Sequence, residues 1–441
     1  MSNKVDTTNV KLEKQRQVTP KLRFPEFRDA GDWEERQLRD TCERIAEKVG
    51  KAKLTPVSIT AGYGFVSQVD KFGRDISGAQ YENYTFLRRG DFAYNRGYSK
   101  KFPQGYICQL KEFDQAAAST AFICFRLRQE YEEGFLQGLF DCNFHGRQLA
   151  KYITSSARGD GLLNINPGHF FDMKLPFPQQ LGEQQKIADC LSSLDDLIAA
   201  QNRKLDALKA HKQGLLQQLF PAEGETLPRL RFAEFRDAPE WEEKPLGSKT
   251  TKVGSGITPK GGEINYQDKG RPFVRSQNVG WGELILEDVA HIDDKTHATF
   301  LATEIMERDV LLNISGASIG RSAIANSKIS GGNVNQHVCI IRPKPYELNP
   351  DFLNQYLLSP YGQNQIDSFQ AGGNRQGLNF AQIRSFSIPL PQAIDEQEKI
   401  ADCLSSLDDL IAVQAQKIDA LKTHKKGVMQ QLFPSPEEVL K

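Results

Sequence analysis

The chain has 441 residues, with 56 basic and 56 acidic side chains and so no net charge. Its length allows two to four domains, and its neutral balance argues against a protein that coats nucleic acid non-specifically, since such proteins carry a basic excess. No apolar run approaches the roughly 20 residues of a membrane span. The start, MSNKVDTTNVKLEKQRQVTP, lacks the apolar stretch of a secretory signal. The seven cysteines include no Cys-x-x-Cys pair, which fits reduced thiols in a cytoplasmic protein.

Residues 1–19 read as a polar arm. A first domain is expected over 20–180, opening on PKLRFPEFRDAGDWEERQL at Pro20–Leu38. The segment mixes short β-rich runs such as Phe122–Leu127 with Gly/Asn turns and helical stretches, the pattern of a compact α/β (α+β) domain. Gly90–Asn95 reads as a short strand ending in Asn. The loop after it, Asn95, Arg96, Tyr98, Ser99, Lys100 and Lys101, joins an aromatic ring to a basic cluster. Arg147, Lys151 and Arg158 add positive charge before a Gly-Asp-Gly turn. Cys142 and His145 have a ligand-like gap, but no second pair follows at metal-ligand spacing, so no metal is expected.

A helix is expected over 181–221. Steps of four and three residues pass through Ile187, Leu191, Leu194, Ile198, Gln201, Leu205 and Leu208, then Lys212, Leu215 and Leu219. An apolar repeat of 3.5 residues sustained in this way argues for coiled-coil packing. Glu183–Pro221 also recurs as Glu396–Pro434, with 30 of 39 positions identical. The second copy gives Ile400, Leu404, Leu407, Ile411, Gln414, Ile418 and Leu421 at the same seam positions, with Lys425 in place of Lys212. Gln201 and Gln414 are placed to fix register across the seam. Asp195–Asp196 and Asp408–Asp409 look like catalytic pairs but read as a solvated outer face.

The second domain is expected over 222–394. It opens on PRLRFAEFRDAPEWEEKPL at Pro228–Leu246, a near-copy of the first lead-in. It shares a skeleton with the first domain: Arg308–Asn313 matches Gly90–Asn95, Leu378-Asn379 matches Ile165-Asn166, and Ile388-Pro389-Leu390-Pro391 matches Leu175-Pro176-Phe177-Pro178. Its loops carry Arg275, Gln277 and Asn278 ahead of Trp281, then Asn313 and Arg321, then Asn335, Gln336 and His337. Asn374, Arg375 and Gln376 lie in a Gly-rich loop. Amides and guanidinium groups are the side chains whose paired donors and acceptors suit base edges. The second helix is expected over 395–434, with Asp395 as N-cap and Glu398 completing a capping box, and 435–441 as a tail.

Catalytic signatures fail. Gly254–Lys260 misses the Walker spacing, and there is no GxSxG, no HExxH and no Asn-Pro-Pro-aromatic tetrapeptide. The Glu-x-Lys at Glu242–Lys244 lacks an acid at nuclease spacing, and its counterpart Glu34–Arg36 lacks the Lys. The chain reads as non-catalytic, with no metal or cofactor of its own.

The repeated LRF-x-EF…WEE lead-ins, the Pro-x-Pro followed by EQ-x-KIADCLSSLDDLI, and K-x-HK-x-G-x-x-QQLFP together resemble the specificity subunit of type I restriction–modification enzymes, from about Pro20 to Pro434. The resemblance implies two target-recognition domains, each reading half of an asymmetric bipartite DNA site. It implies two long antiparallel coiled-coil helices between them, related by a pseudo-two-fold internal repeat, that set the spacer and dock two methyltransferase subunits. Restriction subunits (motor and nuclease) would join that core. S-adenosylmethionine, ATP and Mg2+ would belong to those partners. Two other readings are a coiled-coil scaffold with two protein-binding heads, and an enzyme with an unrecognised site.

Overall fold

In the computed structural model, residues 18–97, 99–153, 163–370 and 377–435 are described. Tyr98, Arg158, Asn374, Arg375 and Gln376 lie outside them, as do most of the polar arm and the tail beyond Ser435. The chain divides into two compact units, residues 1–201 with 417–441, and residues 202–416. Each therefore takes one stretch of each long helix.

In the first unit, Glu34–Gln37 pairs antiparallel with Lys174–Phe177, so the lead-in motif is zipped to the Pro-x-Pro exit. A two-stranded ribbon tolerates Pro176 because its missing N–H faces no further strand. A four-stranded sheet runs in the order Cys42–Arg44, Ile123–Leu127, Phe92–Asn95, Tyr106–Gln109. A second runs Gly64–Ser67, Pro56–Thr60, Gln115–Ala118, Thr85–Arg88. Aromatic rings fill the core under the first sheet, with Phe92 stacked on Phe125 at 5.4 Å and Tyr94 on Phe170 at 4.9 Å.

The second unit repeats this plan. Glu242–Pro245 pairs with Ser387–Leu390. Its four-stranded sheet runs Thr250–Ser255, Val338–Pro343, Val310–Asn313, Ser322–Ile324. A three-stranded sheet holds Ala290–Ile292, Arg271–Val274 and Asn333–Val334. The matched strand is anchored alike in both units. Asp91, 1% exposed, accepts from the Arg88 amide at 2.7 Å and from the Arg126 guanidinium at 2.6 and 2.8 Å. Asp309 does the same with the Met306 amide at 2.7 Å and Arg342 at 2.7 and 2.8 Å. Gly90 and Arg308, aligned by sequence, both take a left-handed turn, at φ 93° and 69°.

The two long helices, Leu181–Leu219 and Ile394–Leu432, each have 39 residues. Because the second starts at Ile394, Asp395 lies inside its first turn rather than capping it. There its charge still favours the positive end of the helix dipole. Every seam position from Ile187 to Leu219 and from Ile400 to Leu432 is buried or half-buried.

The lead-in motifs latch onto these helices. In the first unit Glu183 is buried, with the Arg23 guanidinium forked on it at 2.7 Å and Trp33 Nε1 donating at 3.2 Å. The Leu22 amide donates to Gln431 O at 2.9 Å, and Phe433 packs on Phe135 with ring centroids 5.3 Å apart. In the second unit Arg231 and Trp241 hold Glu396, the Leu230 amide donates to Gln218 O at 2.9 Å, and Phe220 packs on Phe352 at 5.2 Å.

Further along, Lys425 meets Asp195 at 2.5 Å and Lys212 meets Asp408 at 2.6 Å. Asp195 is exposed, in keeping with a solvated outer face, and Asp408 is half-buried. Each follows a seam leucine directly, so it flanks the seam within reach of a lysine stem. Asp196 and Asp409 are exposed.

Candidate nucleic-acid interface

Strand order brings loops together at one edge of each four-stranded sheet. In the first unit Asn95 pairs with Tyr106, and Tyr94 with Ile123, so the loops 96–105 and 119–122 leave from neighbouring strand ends. In the second unit Asn313 pairs with Val338, Leu312 with Ser322, and Ser255 with Cys339. That edge gathers the loops 256–265, 314–321 and 335–337. In both units a later segment is pinned beside it: the Leu163 amide donates to Arg96 O at 2.8 Å, and the Leu378 amide to Ile314 O at 2.9 Å. Side chains held on strand ends are positioned more tightly than those on free loops.

The first edge is basic. Lys100 and Lys101 are exposed, with the Lys101 ammonium 5.5 Å from the Phe102 ring centre. The Ser99 hydroxyl accepts from the Phe102 amide at 3.1 Å, and Asn95 Oδ1 from the Gly97 amide at 2.9 Å, so both shape the turn. Arg96 is turned inward and donates to Ala121 O at 3.0 Å and Ile165 O at 3.4 Å. Its charge serves the loop's backbone rather than an open surface. Arg147 and Lys151 are exposed on and just after the short helix Phe144–Ala150, ahead of the pinned Leu163 segment.

The second edge is polar rather than basic. Asn278 is fully buried: its Oδ1 accepts from the Arg275 amide at 3.0 Å, and its Nδ2 donates to Ile285 O at 2.9 Å and Asp288 at 3.0 Å. Asn313, also fully buried, donates to Ser276 O at 2.8 Å. Arg275 is half-buried over the Tyr266 ring and donates to Asp288 O at 2.8 Å, while exposed Gln277 donates to the Asp288 carboxylate. Arg321 is half-buried, and its backbone carbonyl accepts from the Asn313 amide at 2.8 Å. Asn335 Oδ1 accepts from the His337 amide at 3.0 Å. Gln336 is exposed, bonded to Thr258, and 3.1 Å from His337 Nε2, whose Nδ1 meets Ser315.

Sequence reading therefore grouped Asn335, Gln336 and His337 with two partners it did not name, Thr258 and Ser315. They lie 78 and 22 residues away, and no spacing rule reports such a contact. Trp281, 57% exposed, sits in the turn whose Gly282 amide donates to Ser322 O at 2.9 Å, on the same edge.

Burial pushes the Cys42, Cys124, Cys142 and Cys339 thiols up to about 12, out of the nucleophilic range. Among the described residues no group of three or more His, Cys, Asp or Glu is placed to hold a metal. No described helix is long and apolar enough to cross a membrane.

The family model for the type I restriction modification DNA specificity domain matches residues 31–210 and 240–423. The specificity subunit of the type I restriction enzyme MjaVIII, from Methanocaldococcus jannaschii, is 25% identical over 286 residues, covering 64% of this chain and 66% of that protein. The putative MjaX specificity subunit of the same organism is 26% identical over 293 residues, covering 66% and 65%. The chain thus spans just under two thirds of the length of these curated relatives. The crystal structure of a type I restriction–modification S subunit from M. genitalium superposes with a TM-score of 0.59 at 16% identity, over 95% of this chain and 99% of that one. A chain from a study of assembly and conformational transition of the type I system gives 0.54 at 16% identity, over 92% and 98%. At such identities the likeness is one of fold.

Proposed function

The chain belongs to the type I restriction–modification DNA specificity family, and from that premise we propose that it is the sequence-reading, non-catalytic subunit of such an enzyme. Each unit's sheet edge reads one half of a bipartite, asymmetric DNA site. The observation that carries this reading is the contrast within the repeat: two units share strand order, buried anchors and helix latches, yet present unlike edges. One frame with two different reading edges suits an asymmetric site. Lysines at the first edge supply phosphate contacts that fix register without reading sequence. The half-exposed polar groups at the second supply base contacts.

In this reading the two helices pair along their length as an antiparallel coiled coil, with Gln201 and Gln414 fixing register. The pair sets the distance between half-sites and docks two methyltransferase subunits, and motor–nuclease subunits complete the enzyme. S-adenosylmethionine, ATP and Mg2+ are used by those partners, which flip and methylate the target base. The complex acts in the cytoplasm. One heptad inserted at matched positions in both helices adds about 10 Å of rise, close to three base pairs. Sites methylated by the complex should then keep both half-sites and gain a spacer longer by that amount. Changed half-sites with an unchanged spacer would reject the ruler.

A further inference from the structure

We propose that Gln336 reads an adenine in the half-site of the second unit and that His337 positions it; this rests on the DNA-reading assignment above. Of the other amides of that edge, Asn278 and Asn313 are fully buried and donate to backbone, Asn335 is nearly buried against the His337 amide, and exposed Gln277 is held at its Nε2 end by Asp288. Gln336 is exposed, yet both ends of its amide are held. Its Oε1 accepts from the Thr258 hydroxyl, and its Nε2 lies 3.1 Å from His337 Nε2.

A primary amide offers two lone pairs on oxygen and two hydrogens on nitrogen. With one of each engaged, one lone pair and one N–H remain for a ligand. That pair matches the N6–H and N7 of adenine in the major groove.

The imidazole orients the amide: in the tautomer with its proton on Nδ1, facing Ser315 Oγ, the bare His337 Nε2 accepts from Gln336 Nε2. The turn carrying both residues is fastened on three sides: Ile314 N donates to His337 O at 3.0 Å, Gly256 N to Asn335 O at 3.1 Å, and Asn335 N to Val274 O at 3.0 Å. The amide is thus presented ready-oriented, and binding needs little further ordering.

The test is sequencing of the fraction bound from a randomised duplex DNA pool by the full-length chain with its co-purifying subunits. Wild type should enrich two sequence blocks. Gln336→Ala should relax one adenine position in one block, losing roughly tenfold or more in discrimination, with the other block unchanged and serving as the folding control. Gln336→Glu should move that position to cytosine, whose N4 amine donates to a carboxylate. His337→Ala should blur the same position less, and His337→Gln should restore part of it, which a merely structural role would not do. Variants that keep the wild-type base at every position overturn the assignment of Gln336 and leave DNA reading standing. A wild-type chain that enriches no block overturns both.

Discussion

The two sheet edges are built on the same strands and differ in almost every exposed side chain. The turn after the first unit's Gln115–Ala118 strand is Ser-Thr-Ala-Phe, braced by Arg96 on Ala121 O. The turn after the second unit's Asn333–Val334 strand is Asn-Gln-His, braced by backbone bonds from Gly256 and Ile314. Behind the edges the buried anchors correspond: Asp91–Arg126 answers Asp309–Arg342, and Arg23–Glu183–Trp33 answers Arg231–Glu396–Trp241. Buried charges tolerate little change because an unpaired one is costly, whereas exposed loop residues leave stability nearly untouched. The same duplicated frame can therefore hold two specificities.

The sharpest way to break this symmetry is to remove a latch. Glu183→Ala strands the Arg23 cation and the Trp33 N–H, and should cost roughly 3–5 kcal/mol. Hydrogen exchange should show the loosening confined to residues 1–201 and 417–441. Glu396→Ala should do the same to residues 202–416. Loosening that spreads equally over both units would show that they do not fold as separate latched bodies.

Acid should separate the units next. His145 is buried among the Tyr94 and Phe140 rings, and burial, opposed by the Gly105 backbone, lowers its pKa to about 4. The unfolded chain binds that proton near 6.5. Stability is therefore full above about 6.5 and falls as pH drops toward 4, by roughly 3 kcal/mol in all. The second unit's buried His297 has Asn333 Oδ1 at 2.7 Å. Denaturation between pH 7 and 4 should weaken the first unit, and His145→Phe should flatten that slope.

The smallest effect lies in the seam. Lys425→Met and Lys212→Met remove half-exposed ion pairs and should each cost under about 1 kcal/mol. The second should cost more, because Asp408 also accepts from Gln355 at 2.8 Å and is the less exposed acid. Equal melting shifts for the two variants would show that the pairs are energetically alike.

Much of the frame was legible in the chain. The heptads gave two long helices because a 3.5-residue apolar period is a local signal, and each named seam residue is buried or half-buried. The aligned strands ending in Asn95 and Asn313 were found because the pattern repeats, and the Gly90–Arg308 match proved to be a shared left-handed turn. The lead-in motifs read only as duplication. Nothing in LRF…WEE announces that its Arg and Trp converge on a glutamate some 150 residues away. Arg96, Asn278 and Asn313 were read as reaching groups because residue type tells what a side chain can bond. It does not tell which way the side chain faces.

The sequence by itself determined the repeat, the helices, the neutral balance and the family, since each is written in local period or in identity between two copies. Only the tertiary structure decided which polar groups were spent inside and which stayed open at the sheet edge. That choice depends on strand ends and loops brought together from distant parts of the chain: Thr258 and Ser315 come to Gln336 and His337 because their strands are neighbours in one sheet.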